Sequence, residues 1–200
     1  MDFRTWPPKL LVVDTEGNGA SPPDLIELAA VPITAGAVRP GAIRQTLVRP
    51  PTPVTPLATS VHGLTNQDLA IAPIWETIAP VVRADLDGAW IAAHNATVDY
   101  RLLARLLPGW EPTGVICTLR LARARRPDLP RHTLDALIAA LPVSLAGVAG
   151  ARHRAAFDAH TTALLLLALA QPLDTWDALV EVAVPPSLRL GSAVEQQSLW

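Results

Sequence analysis

The stretch Leu10-Leu11-Val12-Val13-Asp14-Thr15-Glu16 decides how this chain is read. Four apolar residues with the look of a strand run into two acids separated by one residue. Residues i and i+2 of a strand project to the same side. The Asp14 and Glu16 carboxylates therefore emerge together at a strand's carboxyl end, where like charges repel unless a cation lies between them. The pair fits a hard-metal site, and a plain turn would also carry it. The rest of the chain has to choose.

Two hundred residues, half of them hydrophobic, correspond to one domain with a sizeable core. The longest apolar run, Ala163 to Ala170, is too short to span a bilayer. Met1-Asp2-Phe3-Arg4 lacks the charged-then-apolar order of a signal peptide. The lone Cys117 excludes an internal disulfide framework and fits a reducing compartment. These features point to a soluble, cytoplasmic protein with no membrane contact. A net charge of −2 does not mark a nucleic-acid binder, yet five arginines fall between Arg120 and Arg131. That run reads either as a solvated helix face or as a local phosphate-binding patch.

Strand patterns cover Lys9–Val13, Leu25–Ile33, Ala42–Val48, Ala89–Ala93 and Val115–Cys117. The first three precede any long helical pattern and are joined by turn-rich pieces, which predicts an antiparallel meander. The later strands alternate with helices and are expected to add in parallel. Helical patterns cover Trp75–Ala84, Thr97–Leu107, Thr118–Arg126, Thr133–Leu141 and Arg154–Gln171. Arg49-Pro-Pro-Thr-Pro-Val-Thr-Pro reads as an ordered loop. The prediction is an α/β fold: a five-stranded mixed sheet, its first three strands antiparallel, flanked by helices. Residues 1–8 read as an N-terminal extension, 9–182 as the domain and 183–200 as a flexible tail.

Further acids stand at informative points. In Ala92-Ala93-His94-Asn95-Ala96-Thr97-Val98-Asp99, a buried-type strand breaks into a helix. Thr97 reads as its N-cap, with Asp99 in the first turn, where the helix dipole favours negative charge. In His153-Arg154-Ala155-Ala156-Phe157-Asp158, an Asp lies more than one turn inside a long apolar helix. That is costly unless it is paired or metal-bound. A first-turn acid and a His at a helix start are each common for structural reasons.

In order, Asp-x-Glu, His-Asn-Ala-x-x-Asp and His-x-Ala-x-x-Asp resemble the DnaQ-like 3′→5′ exonucleases with the acidic-and-His signature, on the ribonuclease H-like fold. The resemblance covers about residues 8 to 170 and includes Val61-His62-Gly63-Leu64-Thr65 with Asp68, and Ile116-Cys117-Thr118. Val48-Arg49-Pro50 and Leu121-Ala122-Arg123 look most similar to the exodeoxyribonuclease X type, with proofreading epsilon-type subunits next. The resemblance implies that Asp14, Glu16, Asp99 and Asp158 hold two Mg²⁺ ions, with Mn²⁺ able to substitute, and that His153 is the general base for the attacking water. Such ions, about 4 Å apart, would activate water and stabilise the leaving oxygen. Four carboxylates match their +4, Mg²⁺ favours oxygen ligands, and an imidazole titrating near neutrality suits a base.

The same resemblance brings the backbone from Thr15 to Gly17 toward the terminal nucleotide and sets His62 beside the base pocket. His62 equally fits packing or the surface, as do His132 and His160; His94 and Asn95 shape the turn or touch substrate. Two departures stand out. Ala20-Ser21-Pro22-Pro23 is small where some relatives carry a bulky wedge, and Val98 stands where many carry Phe.

The expectation is an exonuclease releasing nucleoside 5′-monophosphates from the 3′ end of DNA, single strands preferred over duplex ends, in repair or proofreading. An RNA 3′-end trimmer of the same fold is the alternative, because both share the site and differ in how the 2′-hydroxyl is treated. A non-catalytic nucleic-acid or polymerase adaptor is a third reading, opposed by the intact acids. The family often pairs subunits, so a homodimer is conceivable, but no interface can be read. Val194-Glu-Gln-Gln-Ser-Leu-Trp is a short polar-apolar segment that reads first as a disordered end, with docking on a polymerase or other partner as the alternative.

Overall fold

The computed structural model describes residues 2–189. Its central strand is β1 (Leu10–Gly17), longer than the sequence pattern because β2 (Leu25–Thr34) pairs antiparallel along its whole length, from Leu10↔Ile33 to Glu16↔Glu27 and Gly17↔Leu25. The two-residue β3 (Ala37–Val38) and the short β4 (Arg44–Leu47) both pair antiparallel with β2. On the other edge of β1, β5 (Trp90–Ala93) pairs in parallel, and β6 (Gly114–Cys117) continues in parallel. The sheet thus has six strands where five were expected, and β3 is the addition. It is too short for any periodic signal.

β5 pairs with β1 only from Leu10 to Val12. From Asp14 onward, β1 is flanked by β2 on one side while its other edge has no strand beside it and is met by Asp99 at the start of the helix that follows β5. That notch at the carboxyl end of the parallel strands is where an α/β sheet leaves room for a ligand.

Eight α-helices accompany the strands among the described residues. α1 (Pro56–His62), α2 (Asn66–Leu69) and α8 (Trp176–Ala183) escape the sequence reading. Each nevertheless carries a cap. Thr55 caps α1 ahead of a first-turn Pro, Thr65 and Asp68 form a capping box at α2, and Thr175 caps α8. The expected helices appear as α3 (Trp75–Leu86), α4 (Thr97–Leu106), α5 (Thr118–Arg125), α6 (Leu134–Ala140) and α7 (Ala155–Ala170). Thr97 is the first residue of α4 and not its cap. Ala96 holds that position, with no side-chain bond.

Each sheet face carries a core. Leu10, Val12, Val31 and Ile116 pack under α7 with Leu165 and Leu166, while Val13, Leu28, Ile91 and Val115 pack with Leu103 of α4 and Leu86 of α3. Truncating one such fully buried leucine to Ala costs about 2–5 kcal/mol. Residues 2–8, read as an extension, are stitched into the domain. Trp6 is buried and sits edge-to-face on Phe3 and on Trp176 of α8, which meets Trp90 the same way, with centroids 5.0–5.1 Å apart. At the other end the tail begins in ordered form. Ala183, Val184 and Pro185 are buried and a 3-10 turn spans Pro186–Leu188. The polar-apolar segment from Val194 lies outside the described residues.

Candidate active site

The alternation that sends Leu10 and Val12 into the core under α7 also sends Asp14 and Glu16 to that face, and turns Thr15 with Val13 toward α4. Each direction has a consequence. The Thr15 hydroxyl donates to Asp99 Oδ1 at 2.7 Å and holds a buried acid in the first turn of α4 beside the tip of β1. On the opposite face, Glu16 meets Asp158 and His153. One ligand atom from each of these three lies within 4.8 Å of the others.

Asp158 is buried at the start of α7, and its backbone N–H already bonds to Arg154. It stands in the helix's first turn rather than deeper inside, as the sequence pattern implied. Its Oδ2 accepts from the His153 backbone N–H at 3.0 Å, and its Oδ1 pairs with Arg152, which also grips Asp135. His153 takes a left-handed conformation, φ 61°, just outside the helix, with its side chain exposed. An imidazole held by its own backbone and open to water can reach a solvent molecule.

The electrostatics identify the acids that the fold leaves unsatisfied. No hydrogen bond from the described residues reaches the Asp14 or Glu16 carboxylate. Burial, followed by the charges of Asp99, Glu16 and Asp158, drives the Asp14 carboxyl well above its ordinary value. Burial and then the Asp158 and Glu27 charges push Glu16 up to about 7. Burial raises Asp99 to about 7 against the opposing bond from Thr15. Crowded, dehydrated carboxylates of this kind are relieved by a hard divalent cation, and an all-oxygen set with one imidazole at its rim fits Mg²⁺ or Mn²⁺.

Glu27 is the residue that sequence reasoning missed. It faces Glu16 directly across the β1–β2 ladder and is fully buried. Burial pushes its carboxyl up, but bonds from Arg154, the Ala155 backbone N–H and Gln45 outweigh that and hold it below the ordinary Glu value. Glu27 thereby ties β2 to the first residues of α7, next to His153. A lone acid inside the otherwise apolar Leu25–Ile33 run was the available signal.

Asn18 was likewise passed over inside an apparent turn. Fully buried, it donates to Asp24 and Thr52, accepts from the backbones of Ala20 and Asp24, and its carbonyl receives the Thr55 N–H. It fixes the Gly17–Gly19 loop beyond the acids. Gly19 has φ 81°, and a side chain there would strike the Thr55 hydroxyl.

The remaining sequence-derived residues divide. His62 is buried, its Nδ1 accepting from Leu64 N–H at 3.0 Å and its Nε2 without a bond among the described residues. Burial lowers its pKa, and it feels the charges of Glu27, Arg154 and His153, so it stands close to the site. His94 has both ring nitrogens engaged, Nδ1 with the Thr118 hydroxyl at 2.9 Å and Nε2 with the His132 carbonyl at 3.0 Å. Of the two roles open to it, the structure gives it the internal one, joining the ends of β5 and β6 to the loop before α6. Asn95 shapes the turn into α4, with φ 65° and its carbonyl receiving the Val98 N–H. His132, partly buried, bonds the Arg126 carbonyl, and His160 is buried in α7.

Comparison with known proteins adds the following. A family model described as Exonuclease (RNase_T) matches residues 11–166. Exodeoxyribonuclease 10 of Escherichia coli K12 is 32% identical over 160 residues, covering 79% of this chain and 67% of that protein. A DNA polymerase III subunit epsilon-like protein of Rhodobacter capsulatus is 33% identical over 165 residues. This chain spans only 23% of that relative's length. Among solved structures, Exonuclease X in complex with 5′ overhanging duplex DNA superposes with a TM-score of 0.70 at 29% identity, over 86% of this chain and 98% of that one. A 3′-exonuclease solved for its recognition of a histone mRNA stem-loop has the same fold at 14% identity, with a TM-score of 0.69. No helix among the described residues is long and apolar enough to cross a membrane.

Proposed function

The chain belongs to the exonuclease family, and we propose that within it this protein is a 3′→5′ exonuclease acting on single-stranded DNA ends in repair or proofreading. One observation carries the reading. Asp14, Glu16, Asp99 and Asp158 converge from three elements with His153 at the solvent side, and among the described residues no hydrogen-bond donor reaches the two acids of β1, on which only the Arg152 charge acts favourably. Residues 9–182 are the catalytic unit in this account.

The four acids would hold two Mg²⁺ ions, which Mn²⁺ can replace. Bound divalent ions supply charge neutralisation at the phosphate and acidify water. The chain's own residues do the rest. Thr15 keeps Asp99 oriented through its 2.7 Å bond, and Glu27 keeps the start of α7 against β2. The His153 imidazole, exposed at the rim of the acids, takes the proton from the attacking water at a ring nitrogen. The water oxygen bonds to phosphorus, the bond from phosphorus to the upstream 3′-oxygen breaks, and solvent returns a proton to that oxygen. The product is a nucleoside 5′-monophosphate. The Gly17–Gly19 loop and His62 border the terminal nucleotide.

The test is a digestion panel of 5′-labelled and 3′-labelled oligonucleotides, DNA and RNA, single-stranded and duplex, with Mg²⁺, Mn²⁺ or chelator. The expected result is a descending ladder from 5′-labelled single-stranded DNA with either metal and none with chelator. Faster loss of RNA than of matched DNA would transfer the reading to RNA 3′-end trimming. Shortening from the 5′ end would contradict it.

A further inference from the structure

We propose that the groove between α5 and α8 seats the phosphate backbone of single-stranded DNA upstream of the bond that is cut; this rests on the exonuclease reading above. The groove encloses about 680 Å³ at the carboxyl ends of β5 and β6. One wall begins with Asn95 and Thr97, on the turn that delivers Asp99, so the groove opens within a helical turn of the acids. Three arginines line it, Arg120, Arg123 and Arg189, against the single acid Glu181. A chain of net charge −2 has thus gathered positive charge in one concave place beside its acidic site.

Neither Arg120 nor Arg123 is consumed by an ion pair among the described residues. Arg120 is anchored through Nε to the Val182 carbonyl at 2.8 Å, and Arg189 donates to the Glu181 carbonyl at 2.7 Å. Carbonyl anchoring orients a guanidinium without cancelling its charge. Arg123 is exposed and makes no hydrogen bond or ion pair with the described residues, and its charge reaches His94 at the end of β5, toward the acids. Planar guanidinium forks match phosphate oxygens better than ammonium groups do. Direction follows from the other end of the site. In the exonuclease reading the terminal nucleotide sits by the Gly17–Gly19 loop and His62, on the β2 side of the acids. The groove lies on the other side, at the ends of β5 and β6, so a strand with its 3′ end beside that loop leaves toward the groove.

Fluorescence anisotropy on the full chain carrying Asp14→Asn, with 5′-fluorescein oligothymidylates of 4 and 12 nucleotides and Mg²⁺ across a salt series, tests this. Affinity should rise with length. Adding Arg120→Ala and Arg123→Ala should weaken the 12-mer roughly tenfold and lower the log–log salt slope by about 1.4, two single-strand phosphate contacts at about 0.7 each. Arg123→Ala alone, at a side chain with no hydrogen bond or ion pair among the described residues, should give about half that slope change, which guards against disturbance of α8 by Arg120→Ala. Arg39→Ala, remote from the groove, should leave slope and affinity as they were. A slope and 12-mer affinity unaltered by the groove substitutions overturn the proposal. Digestion of the same 12-mer by the unsubstituted chain reports the exonuclease reading separately: digestion with an unaltered slope removes the groove alone, and length-dependent binding without digestion removes the activity and leaves the groove.

Discussion

Glu16 and Glu27 are the same residue type, stand opposite one another across one ladder, and are treated in opposite ways. At the tip of β1, Glu16 meets Asp158 and His153 with no bonded donor among the described residues, and burial with the Asp158 and Glu27 charges outweighs the opposing Arg152 charge and drives its carboxyl up to about 7. At the junction of β2 and α7, Glu27 is enclosed by Arg154, the Ala155 N–H and Gln45, and its carboxyl is held down. Burial acts on both. What separates them is whether the fold supplies donors. A carboxylate given its donors holds structure together, and one denied them is kept for something that arrives from outside.

The comparison is broken or sharpened most strongly by Glu16→Gln. Activity with Mg²⁺ should fall by roughly a thousandfold, about 4 kcal/mol of barrier, with folding intact by circular dichroism. Wild-type turnover in that variant would make Glu16 an ordinary surface acid. Next in size is Glu27→Ala. Removing one member of a buried, bonded pair strands Arg154 and the α7 N-terminus, and denaturant unfolding should report a loss of about 3 kcal/mol. Equal effects of both substitutions on stability would erase the distinction.

The smallest effect is on pH dependence. Glu16 and Asp99 keep protons in the folded, metal-free protein up to about pH 7, whereas unfolded carboxylates lose them near 4 to 4.5. The native state therefore binds more protons across that window, and their contribution to stability falls as pH rises from about 4.5 to 7. Glu27 has the other sign: its contribution is present above the ordinary Glu value and is lost as pH falls through its lowered native value. In metal-free unfolding measured at pH 5.5 and 8, Glu16→Gln should remove part of the fall, on the order of 1 kcal/mol after allowance for its partial exposure. An unaltered pH profile would mean that Glu16 is not strained.

The acids proposed for the site were legible because they stand where acids are otherwise rare: a strand tip, the turn after a buried strand, and the start of an apolar helix. The long elements were legible through periodicity. What escaped depended on tertiary partners. The two-residue β3 exists only as an edge of β2. α1 hides behind a proline-rich loop whose last Pro is its first residue. Glu27 looks like an interruption of an apolar strand until Arg154 arrives from a distant part of the chain. Asn18 looks like any turn residue until Thr52 and Thr55 close over it. His94 offered two roles, and its bonds to Thr118 and to the His132 carbonyl, both distant in sequence, were not readable from the chain.

The central claim is that the unsatisfied acids are the seat of metal-dependent hydrolysis. It is tested most directly by the time course of a 5′-labelled single-stranded DNA in Mg²⁺ with the wild-type chain and with Asp14→Asn, both folded. The account predicts stepwise shortening from the 3′ end by the wild type, abolished by chelator and absent from the variant. Undiminished shortening by Asp14→Asn, or shortening that persists in chelator, would contradict it.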